Sequence, residues 1–219
     1  MANHFKTLSV AMAFALATPA LAQDTTPPAA ASEPAETPIG ETYVAETYGA
    51  WEMQCIRTED GFDPCQLYQL LKTSDGTPLA EISMFALPAG QPAAAGATIL
   101  TPLETLLSQM LSISFNGNEA RRYPFTFCNS VGCVVRAGFT AEDIDSMKTG
   151  TSAVLSLVPM VAPDQTVDSV IGLEGFADGY AAVSAANAAS SAAAAAAAGV
   201  TPGAEAPATA PADAPTPRP

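Results

Sequence analysis

Histidine is almost missing from this chain: 219 residues carry only one, His4, close to the N-terminus. Basic residues are also few, eight Lys and Arg against 22 Asp and Glu, which leaves a formal charge of −14. A chain this acidic lacks the basic footprint that neutralises phosphates, so nucleic acid is not an expected partner. Anionic membrane surfaces are disfavoured for the same reason. No apolar run in the mature chain is expected to span a bilayer.

The first residues read as an export leader. Lys6 supplies a short basic region, and an apolar run follows from Leu8 to Ala17, too short to cross a membrane. Pro19 ends that run, and Ala20-Leu21-Ala22 puts small residues at positions −3 and −1 of a cleavage site. Residues 1–22 are therefore expected to be a signal peptide, cut between Ala22 and Gln23. No cysteine stands at the cut, so a lipid anchor is not expected. The leader takes His4 and Lys6 with it, leaving a histidine-free chain one unit more negative than −14. That excludes histidine general bases, Ser-His-Asp and Cys-His pairs, and histidine metal ligands.

What remains divides by composition. Residues 23–41 are an Ala/Pro-rich stretch with no apolar period and read as a disordered linker. Residues 42–183 hold every cysteine and the only tryptophan, about 140 residues and enough for one core. Residues 184–219 are a low-complexity Ala/Pro tail, with a fraying alanine helix over 181–198 at its start. Alanine offers little to bury, so residues 42–183 are expected to fold without either flank.

Within the domain, period-two alternation dominates. Trp51, Met53 and Cys55 share one strand face, as do Cys65, Leu67, Gln69 and Leu71 on the next. Asp75-Gly76 marks a reversal into Leu79–Phe85, and Asn116-Gly117 joins Leu111–Phe115 to the strand of Tyr123, Phe125 and Phe127. Pro124 cannot donate to a ladder, which points to an edge or a bulge. Strands are also predicted near Ala153–Val158 and Val167–Leu173. Thr140, Asp143 and Gly150 frame one short helix, capped at both ends. A second helix is predicted from Thr101, with Pro102 at its first position, Glu104 completing a capping box, and Leu103, Leu106, Leu107 and Met110 as its apolar stripe. The fold class is all-β: a single β-sandwich or barrel-like domain with one or two short helices and disordered flanks.

Four cysteines stand at 55, 65, 128 and 133. Three pairings are possible; Cys55–Cys65 and Cys128–Cys133 are favoured because each closes a short loop rich in turn formers. The alternatives fit poorly. Redox pairs have two intervening residues, not four, and a zinc ribbon needs two close pairs. No metal and no cofactor is expected.

No catalytic residue emerges either. Glu59-Asp60 and Glu142-Asp143 are adjacent carboxylates of the kind that solvate a turn or a helix start. Arg121-Arg122 reads as a solvated strand start, and Tyr123, Phe125, Phe127 and Trp51 read as core.

One ordered series does resemble a known family. Tyr48-Gly49-Ala50-Trp51 leads to Cys55 and Cys65, then Asp75-Gly76. Next come Pro124-Phe125-Thr126-Phe127-Cys128 and Gly132-Cys133, followed by Met147-Lys148-Thr149-Gly150 and Leu173-Glu174-Gly175-Phe176. The series is similar to the invasion-associated locus B family of exported alphaproteobacterial proteins, over about residues 42–183. One departure falls at Ser108-Gln109-Met110, where relatives often have a proline–glycine step. The resemblance implies a cell-envelope role without catalytic residues. One member, in a blood-borne pathogen, is associated with entry into red cells, although many relatives belong to free-living bacteria. The expected function is thus a non-enzymatic exported interaction module, periplasmic or secreted and surface-associated, meeting an unidentified protein or envelope component. The alternative is an exported carboxylate-dependent hydrolase acting on glycans.

Overall fold

The computed structural model describes residues 37–199 apart from residue 89. The expected leader and its Ala22–Gln23 cut lie outside the described residues, as do most of the linker and residues 200–219 of the tail.

The strands are β1 Thr42–Tyr48, β2 Trp51–Ile56, β3 Cys65–Lys72, β4 Pro78–Ala86, β5 Ala95–Thr101 and β6 Leu111–Phe115. They continue with β7 Arg121–Tyr123, β8 Phe125–Cys128, β9 Cys133–Phe139, β10 Ser152–Leu157 and β11 Val167–Gly172. Two helices accompany them, α1 Ala141–Thr149 and α2 Phe176–Ala197. Alternation accounts for the local choices: in β3, Cys65, Leu67, Gln69 and Leu71 are buried while their neighbours are not. In β6, Leu111, Ile113 and Phe115 are buried, and Asn116 and Gly117 turn the chain with φ of 51° and 76°. Those positive values are what a tight hairpin turn demands.

The strands form two open antiparallel sheets, with no closed barrel among the described residues. One has seven strands in the order β1-β2-β3-β4-β5-β9-β8, the other four in the order β11-β10-β6-β7. Of the two architectures expected, the sandwich is the one observed. Pro124 sits where the chain leaves β7, an edge of the small sheet, for β8, an edge of the large one. A residue without an N–H fits a position where ladder pairing is handed from one sheet to the other.

Four strands do not cover seven, and α2 covers part of the remainder. It packs on β1 to β4, burying Phe176, Gly179, Tyr180 and Val183. The ring of Phe176 lies 5.3 Å from that of Trp51. This helix is longer than the short ones expected, 22 residues, and it begins at Phe176 rather than Ala181. It continues past Val183 with a specific contact. The side-chain carbonyl of Asn187 accepts the Cys65 N–H, and its amide donates to the Cys65 carbonyl, both at 2.8 Å. Pairing of β3 with β4 stops at Leu67, so Asn187 supplies peptide-like partners where the ladder has ended.

The first short helix forms as expected. Thr140 caps α1, its hydroxyl accepting the Asp143 N–H while Asp143 accepts from the Thr140 N–H, and Ile144 and Met147 face inward. The helix predicted from Thr101 does not form. Thr101 is the last residue of β5, paired with Cys133; Thr105 bridges Pro159; and only Leu107–Gln109 makes a single 3-10 turn. The local helix signal loses to pairing with distant segments, since the Leu106 N–H donates to the Val158 carbonyl at 2.7 Å.

Candidate functional site: an apolar loop end

The residues that carry the motifs come together as a clasp between the two ends of the domain. The Gly49-Ala50 turn between β1 and β2 lies against Leu173-Glu174-Gly175, and the Ala50 N–H donates to the Glu174 carbonyl at 3.1 Å. Trp51, fully buried, donates its indole N–H to the Gly172 carbonyl at 2.7 Å. Gln69 completes the join: its amide donates to the carbonyls of Ala50 (3.0 Å) and Gly172 (3.1 Å), and its carbonyl accepts the Gly172 N–H at 3.0 Å. Gly175 has φ of 76°, and a Cβ there would collide with the Tyr48 carbonyl. These motif residues hold the two ends of the domain together.

Both favoured disulfides form, Cys55–Cys65 and Cys128–Cys133. Each joins directly opposed residues of an antiparallel pair, β2 with β3 and β8 with β9. The loop closed by the first is organised by Asp63. Its carboxylate accepts from the Tyr43 hydroxyl, the Arg57 guanidinium and the Thr58 N–H, each at 2.8 Å, and from the Thr58 hydroxyl at 3.0 Å. The Thr58 N–H and the Tyr43 hydroxyl, with Arg57 assisting, hold the Asp63 carboxyl below the usual value.

The other carboxylates serve the backbone in the same way. Asp143, buried, accepts from Arg121 at 2.6 Å as well as from Thr140. Arg121 is thus an ion-pair partner of α1 rather than a merely solvated strand start; Arg122 is exposed. Asp60 is exposed, and hydrogen bonding from Thr58 and the Phe62 N–H lowers its pKa, the opposite of what a general acid needs. A polar groove of about 450 Å³ is lined by Glu119, Arg121, Glu142 and Asp143. A second groove, about 460 Å³, runs between Ile56, Phe62 and Phe85 and the outer half of α2. Among the described residues no group of three His, Cys, Asp or Glu is placed to hold a metal ion. Nor is any described helix long and apolar enough to cross a membrane.

The aromatic trio divides. Tyr123 is buried and Phe125 is partly buried, but Phe127 is 46% exposed, so it is not core. Phe127 lies beside the surface that sequence reasoning missed. Antiparallel pairing brings Thr101, Cys133 and Cys128 to one end of the large sheet. From there the 102–110 and 129–132 loops depart. The loop after β10 is bonded to the first of them, because the Met160 N–H donates to the Glu104 carbonyl at 2.7 Å, alongside the Leu106–Val158 bond. Together these loops expose Leu103, Leu107, Met110, Val131, Met160 and Val161, the last by 83%. The sequence pattern places Leu103, Leu107 and Met110 on the apolar stripe of a helix that does not form. The available signal was Met160-Val161, a large apolar pair set between Pro159 and Pro163 in a turn.

Residues 51–184 match the family model described as "Invasion associated locus B (IalB) protein". Among solved structures, the crystal structure of invasion associated protein b from Bartonella henselae is similar, with a TM-score of 0.50 and 18% identity. The alignment covers 63% of this chain and 94% of that one, and at this identity the likeness speaks for the fold alone. No curated protein matches. Because the family match spans more than half of the sequence and includes both disulfides, α1 and the buried start of α2, this chain belongs to the invasion associated locus B family.

Proposed function

We propose that the protein is an exported, non-enzymatic interaction module of the cell envelope, and that the three neighbouring apolar loops are its contact surface. One observation carries the reading: large apolar side chains are exposed on neighbouring loops, two of which, 102–110 and the loop after β10, are bonded to each other through their backbones, while Val131 of the third lies beside Pro102. Contiguous exposed apolar surface of this kind marks an interaction site in a stable domain. Asp143, by contrast, is taken up by structural hydrogen bonds. The leader pattern and two disulfides support a compartment outside the cytoplasm. The domain over 42–183, with Ala/Pro-rich flanks at 23–41 and 184–219, is the unit that presents these loops.

The test is made in cells. Fractionation with N-terminal sequencing should find the chain starting at Gln23 in the periplasm or the medium. A photocrosslinking residue at Val161 should give adducts, whereas one at Ser112 on the small sheet should not. Hydrolysis of an envelope glycan by the purified protein, abolished by Glu142→Gln, would replace this reading with the glycan hydrolase.

A further inference from the structure

We propose that the apolar loops dock on an electrically neutral lipid surface, inserting Leu103, Leu107, Met110, Val131, Met160 and Val161 into the acyl boundary. This rests on the reading that these loops are the contact surface, and it names what they contact.

Two features select the occupant. The first is charge. Residues 102–110, 129–132 and 158–166 contain two acids, Glu104 and Asp164, and no Lys or Arg, in a chain of formal charge −14. Such loops have nothing to attract an anionic headgroup, and the rest of the molecule repels one. The second is the backbone. Hydrocarbon offers no hydrogen-bond partners, so a loop entering it needs its own. The Met110 N–H donates to the Leu107 carbonyl, the Met160 N–H to the Glu104 carbonyl, and the Val131 N–H to the Asn129 side chain. Pro102, Pro159 and Pro163 have no N–H to satisfy. A protein partner that added a strand would instead need unpaired backbone groups at the surface. Thus the side chains on offer are apolar, and the main chain beneath several of them is already paired.

The probe is a phosphatidylcholine vesicle, and the readout is co-flotation of the purified protein. The protein is expected to float with the vesicles at about 0.1 M and about 1 M salt alike, because no ion pairing is involved. Replacing part of the lipid with phosphatidylglycerol should reduce binding. A Val131→Ser/Met160→Ser/Val161→Ser variant should lose about tenfold or more, since each side chain is worth roughly that much when fully buried. All three positions are well exposed, so its urea midpoint should match the parent's. Should the triple variant be unstable, Val161→Asp alone gives the same readout with a several-fold loss.

Failure to float with either vesicle overturns the proposal, as does undiminished binding by the variants. Binding confined to phosphatidylglycerol vesicles and removed by salt overturns it too. If vesicles stay unbound while crosslinking from Val161 captures a protein, the lipid occupant is wrong and the contact surface stands. If neither occurs, both readings fall.

Discussion

The clasp around Gly175 and the apolar loops treat the same problem, how to end strands, in opposite ways. At the clasp, Trp51 is fully buried and the Gln69 amide makes three hydrogen bonds to the backbone of Ala50 and Gly172. At the loops the main chain is partly paired, but Val131 is 72% and Val161 83% exposed. A protein gains stability by burying such side chains, so leaving several exposed on one surface forgoes about 1.5–3 kcal/mol for each. The clasp is therefore where stability resides, and the loops are where apolar surface is left open, as the proposed contact requires. Substitutions should separate the two: clasp variants should unfold the domain, and loop variants should leave it folded.

The largest effect is expected at Gly175. An alanine there must adopt φ of 76° and also push its Cβ into the Tyr48 carbonyl. Gly175→Ala should cost about 3–5 kcal/mol in urea unfolding, from backbone strain combined with the clash. A loss under about 1 kcal/mol would mean that the two chain segments do not meet as described.

Gln69→Leu should follow. Its volume is similar, yet it removes the partners of Gly172 N–H and Ala50 carbonyl inside a buried site. About 2–3 kcal/mol is expected, because orphaned buried polar groups keep their desolvation cost. Equal stability of variant and parent would show that Gln69 is a passenger in the clasp.

How much of this was legible in the sequence depends on whether the deciding contacts are local. The cap of α1, the Asn116-Gly117 turn and both disulfides involve residues close in sequence, and all three appear as read. Strand β5 is built largely of Ala, Gly and Thr, which give alternation little contrast, and β1 is mostly exposed on an edge. Neither was recognised. The stripe of Leu103, Leu106, Leu107 and Met110 has helical spacing, but Cys133 pairs with Thr101 just before it and the Val158 carbonyl takes the Leu106 N–H within it. No local pattern announces those pairings. The exposed apolar surface of these loops is therefore not legible in the sequence, because it exists only where the helix does not form.

A pH titration probes the loop closed by Cys55 and Cys65. Asp63 has its pKa lowered in the folded state, so it binds its proton less readily there than in the unfolded chain. Its contribution to stability is complete above the unfolded value of about 3.9 and disappears as pH falls through the lower folded value. Asp60 and Asp75 are shifted in the same direction. The urea midpoint should thus be flat near neutrality and drop below about pH 4. Asp63→Asn should be less stable at neutral pH and lose less on acidification. An unchanged acid slope in that variant would remove Asp63 from the account.

The smallest effect is the most informative about the loops. Met110 has φ of 58° and ψ of 164°, a combination in which a side chain is strained and glycine is not. This chain thus has an exposed methionine where the backbone favours glycine. Met110→Gly should relieve the strain while adding freedom to the unfolded chain, for a net gain of about 1 kcal/mol. It also removes an apolar side chain that is 42% exposed, so vesicle binding should weaken as stability rises. Opposite signs from one substitution would be the sharpest separation of folding from contact in this molecule. A variant that loses stability, or gains it with vesicle binding unchanged, would break the contrast between clasp and loops at the residue where it is most exposed.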